Sequence, residues 1–202
     1  MILVYDFETT GLPEYKIPSD DPAQPHIVEV GALVINDSLD VVKSWSRIVK
    51  PDGWQIPVDI STNIHGITTE MALQHGISEK VAIQEFMDLV DECSLRVAHY
   101  DVFDSRIARI AMKRYGFLPY AEDFWRPMER YCTCNNFRRL NKSLKLGGQD
   151  AKLGTAYRVA TGEEMDDRVA HTALGDAEAC LEVYRFLRSQ EKVLDTQGSL
   201  PI

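Results

Sequence analysis

Asp6 and Glu8 are the first residues of the sequence whose types and spacing could do chemistry, because they place two carboxylates on one strand. Residues 1–5, MILVY, are apolar or aromatic and predict a buried strand. Side chains alternate along a strand, so Asp6 and Glu8 project to the same face and Phe7 to the other. Two adjacent carboxylates repel each other and lose hydration unless a cation lies between them. The pair is therefore either a surface accident or half of a metal site.

A second acidic segment, HYDVFD at residues 99–104, lies where a short apolar strand passes into a helix predicted to end at Gly116. At about 100° per residue, the apolar stripe of this helix is formed by Phe103, Ile107, Ile110 and Ala111. Asp104 lies at the edge of that stripe, turned toward the sheet. Asp101 lies further round the helix, where we expect it to cap the N-terminus.

The third segment, HTALGDA at residues 171–177, opens a long amphipathic helix predicted from about Thr172 to Arg188. His171 and Asp176 would lie about 140° apart if both were helical, too far round to serve one point. With Thr172 as the N-cap, His171 lies outside the helix and is free to swing over Asp176. That place suits a mobile general base, although a single histidine is often structural.

Each acidic residue taken alone is explained as a helix cap or as a partner of the helix dipole. Three acidic clusters at strand ends or helix starts of one sheet are much harder to explain by separate capping roles. Their arrangement favours one shared site over three separate accidents.

The hydrophobic pattern around these segments predicts an α/β domain. The β-rich runs HIVEVGALVIN and LDVVKSWSRIVK form a three-stranded antiparallel meander with the first strand. Ser78 is expected to cap a helix, and LRVAHY and a segment near ERYCT supply two further strands. A meander followed by alternating helices and strands predicts a mixed five-stranded sheet with helices on both faces.

The net charge of −9 is unusual for a protein that binds nucleic acid, but the charge is unevenly distributed. Residues 126–158 contain eight Lys or Arg and two acids, a local +6, so the rest of the chain sums to −9 − 6 = −15. A basic band on an acidic body suits contact with a phosphate backbone on one side only. An ordinary solvated patch would have the same composition.

The composition predicts a cytoplasmic protein with one folded domain. At 202 residues and 45% hydrophobic content, the chain is long enough for a sizeable core. No apolar run approaches the length of a membrane span, and the N-terminus lacks the basic region of a secretory signal. Four scattered cysteines do not form a disulfide framework. We expect the domain at residues 1–189 and a flexible tail at 190–202.

The segments DFETTG, HYDVFD and HTALGDA, in that order and at these separations, resemble the three exonuclease motifs of the DnaQ-like 3′-5′ exonucleases. A histidine five residues before the last aspartate is the mark of the DEDDh subgroup. The element HGIT, at residues 65–68, is also similar to the family. The resemblance extends over residues 1–189.

The resemblance implies a ribonuclease-H-like fold and an active site with two Mg²⁺ ions, for which Mn²⁺ is expected to substitute. It implies that the metal-binding acids are Asp6, Glu8, Asp104 and Asp176. His171 would be the general base that takes a proton from the attacking water. The two metals would support in-line displacement at phosphorus, releasing nucleoside 5′-monophosphates.

In the family, residues after the first motif hold the 3′-terminal nucleotide. The resemblance therefore implies that substrate contacts are made by Thr9, Thr10, Gly11, Leu12, Ile64 and His65. An ordinary strand-ending turn is the alternative for the first four, and a structural hydrogen bond is the alternative for His65. Two positions depart from the family pattern, since Tyr100 replaces the usual Asn and Thr172 replaces a frequent basic residue.

The leading functional prediction is proofreading-type digestion of single-stranded or frayed DNA 3′ ends, without contact with a membrane. A ribonuclease that trims RNA 3′ ends is the alternative, because a 2′-OH contact needs only one donor or acceptor. A non-catalytic scaffold is disfavoured, because it would not need His171. Residues 197–202, QGSLPI, resemble the peptide by which bacterial replication proteins bind the sliding clamp, so a clamp or polymerase is a possible partner; a frayed end is the alternative.

Overall fold

The computed structural model describes residues 1–58, 65–144, 150–166 and 170–197. The strands are β1 Ile2–Thr9, β2 Ile27–Ile35, β3 Val41–Lys50, β4 Ile77–Ser78, β5 Leu95–Ala98 and β6 Glu129–Cys132. The helices are α1 Thr69–His75, α2 Glu79–Asp91, α3 Asp101–Arg114, α4 Thr133–Leu144, α5 Leu153–Thr161 and α6 Ala173–Gln197, with a π-helical turn at Tyr120–Trp125.

The sheet has six strands in the order β4-β3-β2-β1-β5-β6, so the predicted count of five was wrong. The strand that was missed is β4, whose two residues pair in parallel with Val49 and Lys50. A strand of two residues is too short to show the hydrophobic alternation by which a strand is predicted from sequence. Its pairing depends on where the end of β3 lies in the fold. The predicted antiparallel meander of β1, β2 and β3 is confirmed, as are parallel strands on its other side.

The alternation of side chains along β1 divides the core into two layers. Leu3, Tyr5 and Phe7 pack into the layer that contains α2 and α3. Val4 faces the opposite layer, where it packs with residues of β2 and with Cys180, Leu181 and Tyr184 of α6. Asp6 and Glu8 follow the same alternation as Val4, so β1 directs both carboxylates toward α6.

Two predicted helix caps had opposite outcomes. The Ser78 hydroxyl accepts a hydrogen bond from the Val81 N–H at 3.3 Å, as expected of an N-cap. Asp101 is not a cap, because it is the first residue of α3 and only 1% exposed. Its carboxylate accepts hydrogen bonds from the Tyr5 hydroxyl at 3.0 Å and the Arg96 Nε at 3.3 Å. The buried guanidinium of Arg96 needs a counter-charge, and that need outweighs capping.

Helix α6 continues to Gln197, nine residues past the predicted end at Arg188. The rest of the predicted clamp-binding peptide, residues 198–202, lies outside the described residues, and so does Ile64. No described helix is both long enough and apolar enough to cross a membrane. The four cysteines are free thiols, as expected.

Candidate active site

The carboxylates of Asp6, Glu8 and Asp176 meet between β1 and α6. One oxygen from each side chain lies within 4.8 Å of an oxygen of the others. Asp176 reaches this point because it stands in the first turn of α6, whose apolar residues pack against the same face of the sheet. The first and third acidic segments of the sequence therefore form one cluster.

Asp104 joins the cluster from α3, in the other layer. Its Oδ1 accepts a hydrogen bond from the Phe7 N–H at 3.2 Å, and its side chain is 2% exposed. This contact is open to Asp104 because β5 pairs with β1 only along Ile2–Val4, which leaves the edge of β1 beyond Val4 without a strand neighbour. The N–H between Asp6 and Glu8 is thus bonded by the acid of the second segment.

The pKa values of the four carboxyl groups are raised, because the groups are shielded from water and repel one another. Burial, followed by the charges of Asp104 and Asp176, raises the pKa of Asp6 well above its usual range. Burial and the charge of Asp176 raise the pKa of Glu8 to about 8. Burial also raises the pKa of Asp104 and of Asp176. Asp6, Glu8 and Asp176 are half-buried and Asp104 is buried, and four such carboxylates are stable together in the ionised form only with cations among them.

The donors in this cluster suit hard divalent cations. Carboxylate oxygens are the ligands that Mg²⁺ and Mn²⁺ accept, whereas zinc sites more often contain Cys or His. The three carboxylate oxygens that approach most closely leave space between them for a cation within coordination distance. The residues present therefore fit the divalent metal that the family resemblance implies.

His171 stands just outside α6, as the capping argument predicts. The Thr172 hydroxyl accepts a hydrogen bond from the Gly175 N–H at 3.0 Å and caps the helix. His171 has a left-handed backbone, with φ of 66°, and its side chain is exposed. The backbone N–H of His171 donates a hydrogen bond to Asp176 Oδ1 at 3.2 Å. This hydrogen bond opposes the rise in the Asp176 pKa. His171 and Asp176 line one cleft of about 660 Å³ with the start of α5.

Glu29 is a further acid near the cluster that the sequence analysis did not identify. It stands opposite Glu8 in the β1–β2 register, and its Oε2 accepts the Ala173 N–H at 2.9 Å. Burial raises the pKa of Glu29. The signal for it in the sequence was a single acid inside the apolar run IVEVGALVI, whose nine residues are all buried.

Gly31 on β2 explains how α6 comes so close to the sheet. A Cβ at this position would lie 2.3 Å from the Ala173 carbonyl carbon and 2.3 Å from the Leu174 nitrogen. Any side chain here would therefore push away the helix start that carries Asp176. The absence of a side chain at residue 31 allows Glu29 to reach the Ala173 N–H.

The residues predicted to contact substrate have different environments. The Thr9 hydroxyl donates to the Gly11 carbonyl at 2.8 Å, and the Thr10 hydroxyl accepts from the His26 N–H at 3.0 Å, so both side chains shape the turn after β1. Leu12 is 83% exposed beside that turn. His65 is buried, and its Nδ1 accepts the Ile67 N–H at 3.1 Å, which favours the structural alternative for this residue.

Comparisons with solved structures establish the fold. The E. coli exonuclease I complex with a dT13 oligonucleotide is similar at 20% identity and a TM-score of 0.75, covering 96% of this chain and 42% of that one. The zinc-bound form of the E. coli ExoI–ssDNA complex gives 19% identity, a TM-score of 0.74, and coverage of 97% and 42%. Exonuclease I from Methylocaldum szegediense gives 24% identity, a TM-score of 0.73, and coverage of 96% and 41%.

The chain spans less than half the length of these structural relatives. A sequence comparison with proteins of curated function finds no significant match. A family model described as exonuclease, of the RNase T type, matches residues 3–184 and so includes all three acidic segments. The match confirms the resemblance and the enzyme class that the three segments predicted. The chain belongs to the exonuclease family.

Proposed function

We propose that the protein is a metal-dependent 3′-5′ exonuclease that shortens single-stranded DNA and releases nucleoside 5′-monophosphates. The observation that carries the proposal is the convergence of the four predicted carboxylates. Asp6, Glu8 and Asp176 have oxygens within 4.8 Å of one another, and Asp104 is bonded to the backbone between the first two. A partly buried cluster of this kind is costly to maintain without cations, which is the signature of a site built for function.

The proposed roles of the side chains follow from their positions. Bound divalent cations would activate the attacking water and stabilise the leaving 3′ oxygen. Asp6 and Glu8 on β1 and Asp176 on α6 would hold these cations, with Asp104 closing the site from α3. His171, exposed on the cleft beside Asp176, would take the proton of the attacking water. Its place before the helix allows the ring to move during turnover.

The substrate class rests on two kinds of support. The structural relatives include E. coli exonuclease I bound to a dT13 oligonucleotide, which is single-stranded DNA. The exposed side chain of Leu12, next to β1 and its two acids, offers an apolar contact for a terminal base. We extend the proposal to frayed or mismatched duplex ends, as in proofreading, because such ends present the same single strand.

The test of this proposal is digestion of three 5′-labelled substrates: single-stranded DNA, duplex DNA with a mismatched 3′ end, and RNA. We expect stepwise shortening of both DNA substrates and mononucleotide products in Mg²⁺, with no reaction in EDTA. Faster digestion of RNA would replace the proposed substrate with the alternative one. Internal cuts as first products, or full activity in EDTA, would contradict the proposal.

We also propose the sliding clamp as a partner for the sequence QGSLPI at residues 197–202, on the strength of its pattern alone. A short segment with two apolar anchors and a glutamine suits a small preformed pocket. A peptide of residues 195–202 should bind a bacterial sliding clamp, and a peptide with Leu200→Ala should not. Equal behaviour of the two peptides would contradict this partner without touching the nuclease proposal.

A further inference from the structure

One face of α3, the helix that carries Asp104, borders a groove of about 200 Å³. The helix lines it with four residues at the i, i+3, i+4 and i+7 positions, which share a helix face: Val102, Ser105, Arg106 and Arg109. The lining is completed by Tyr15 and by Arg130, which belongs to the basic band. Ser105 and Arg106 directly follow Asp104 in α3, so the helix that carries one acid of the cluster also lines the groove.

Two carboxylates, Glu122 and Asp101, are each shared among several cations on and around the groove. The Glu122 carboxylate pairs with Arg109 at 2.8 Å, with Lys113 at 2.6 Å and with Arg126 at 2.9 Å. The Asp101 carboxylate pairs with Arg96 at 3.3 Å and with Arg130 at 3.5 Å. Five cationic side chains thus share two carboxylates. The guanidinium of Arg106 instead donates to the Ile17 carbonyl at 2.8 Å, and among the described residues no carboxylate pairs with it. This local excess contrasts with a net charge of −9.

Two half-exposed tyrosines accompany the groove, since Tyr15 lines it and Tyr100 directly precedes α3. Tyr15 is 55% exposed, and the Arg106 guanidinium lies 5.8 Å from the centre of its ring. Tyr100, 49% exposed, has a left-handed backbone with φ of 69°. A left-handed tyrosine costs about 1 kcal/mol or more relative to an ordinary backbone, and Asn or Gly would fit more easily. Backbone strain of this kind clusters at active sites and ligand clamps.

Resting on the proposed function, we propose that this groove binds the DNA strand just upstream of the 3′-terminal nucleotide. Tyr15 and Tyr100 offer ring faces on which bases stack, and Arg130, Arg106 and Arg109 attract the phosphates that follow. Grooves of this composition, aromatic faces within a positive channel, are the usual means of holding single strands without sequence preference. The path leads from the carboxylate cluster along α3 and toward β6.

Fluorescence anisotropy of a labelled oligothymidylate of about 12 nucleotides tests the proposal. It is measured in EDTA, so that the probe is not shortened, over a range of salt concentrations. Arg130→Ala should weaken binding about threefold to tenfold and reduce the slope of log affinity against log salt by about 0.7. Tyr15→Ala should weaken binding about fivefold, whereas Tyr15→Phe should retain it, since the ring is kept.

Arg126→Ala is the matched control. The two side chains are similarly exposed, Arg126 at 65% and Arg130 at 61%, and each pairs with a carboxylate that other cations share. They differ in that Arg130 lines the groove and Arg126 does not. Equal weakening by Arg126→Ala and Arg130→Ala would reduce the effect to general charge and overturn the proposal. Unchanged binding in both Arg130→Ala and Tyr15→Ala would also overturn it. A wild-type chain that binds the probe through Arg130 and Tyr15 but cleaves nothing would support the groove and contradict the proposed function.

Discussion

The carboxylate of Glu29 accepts a hydrogen bond from the backbone N–H of Ala173 at 2.9 Å, and so ties strand β2 to the first turn of α6. The first N–H groups of a helix have no partner within it, so an outside acceptor fixes where the helix begins. Asp176 stands three residues further along that turn. The position of Asp176, one of the acids proposed to hold metal, therefore depends on a second acid that is bonded to the backbone.

We predict that Glu29→Gln keeps most of the Mn²⁺ affinity and activity, because the amide oxygen still accepts the Ala173 N–H. Glu29→Ala should reduce both by about 10-fold or more and destabilise the fold by about 1–3 kcal/mol, because the buried N–H loses its acceptor. Calorimetric Mn²⁺ titration and the rate on labelled DNA measure the difference. If the Gln variant were as damaged as the Ala variant, the charge of Glu29 would act directly on the metal.

Asp104 and Asp101, three residues apart on α3, should give opposite results when changed to Asn. Asp104→Asn should abolish cleavage yet raise the free energy of unfolding in EDTA by about 1–2 kcal/mol, because it removes one like charge and its Oδ1 can still accept the Phe7 N–H. Asp101→Asn should instead cost about 3–5 kcal/mol, because it leaves Arg96 without a counter-charge. Denaturant unfolding and DNA digestion check both.

The folded fraction of Asp101→Asn should still cleave DNA, since Asp101 lies outside the carboxylate cluster. Equal loss of cleavage in both variants would show that the second segment acts through Asp101. This outcome matters, because the two acids occupy the same short segment and only their contacts separate them.

The sequence was sufficient to predict the features that depend on local pattern. Alternation in β1 placed Asp6 and Glu8 together, the apolar stripe of α3 turned Asp104 inward, and Thr172 capped α6 with His171 outside it. The features that were missed depend on contacts between distant segments. Asp101 differs from an ordinary cap only because Arg96 is buried beside it, and Glu29 is recognisable only once α6 lies across β2.

The free energy of unfolding of the metal-free protein should fall as pH rises toward 8. The pKa of Glu8 is raised from 4.5 to about 8 in the folded state, by burial and by Asp176. Its contribution is therefore fully present below the unfolded value of 4.5 and is lost as pH rises through about 8. Thermal unfolding in EDTA at several pH values measures this loss. Glu8→Gln should flatten the profile, and an unchanged slope in that variant would contradict the assignment.

His171→Ala should slow the cleavage of labelled DNA by about 10²–10⁴ while leaving Mn²⁺ affinity nearly unchanged, because the histidine is expected to move a proton and not to hold the metal. Single-turnover kinetics give the first quantity and Mn²⁺ titration the second. His75→Ala provides a control on a histidine of α1, far along the chain from the three segments. A large loss of Mn²⁺ affinity in His171→Ala would make this residue a ligand.

Mn²⁺ binding near neutral pH tests the central claim most directly, namely that the carboxylate cluster is a divalent-metal site. Calorimetry of the wild-type protein should show Mn²⁺ binding accompanied by proton release, because Asp6 and Glu8 have raised pKa values and must ionise to act as ligands. Repeating the titration in buffers of different ionisation enthalpy counts the protons. Asp6→Asn should reduce the affinity by about 10-fold or more. Absence of Mn²⁺ binding by the wild type, or equal affinity and proton release in Asp6→Asn, would contradict the account.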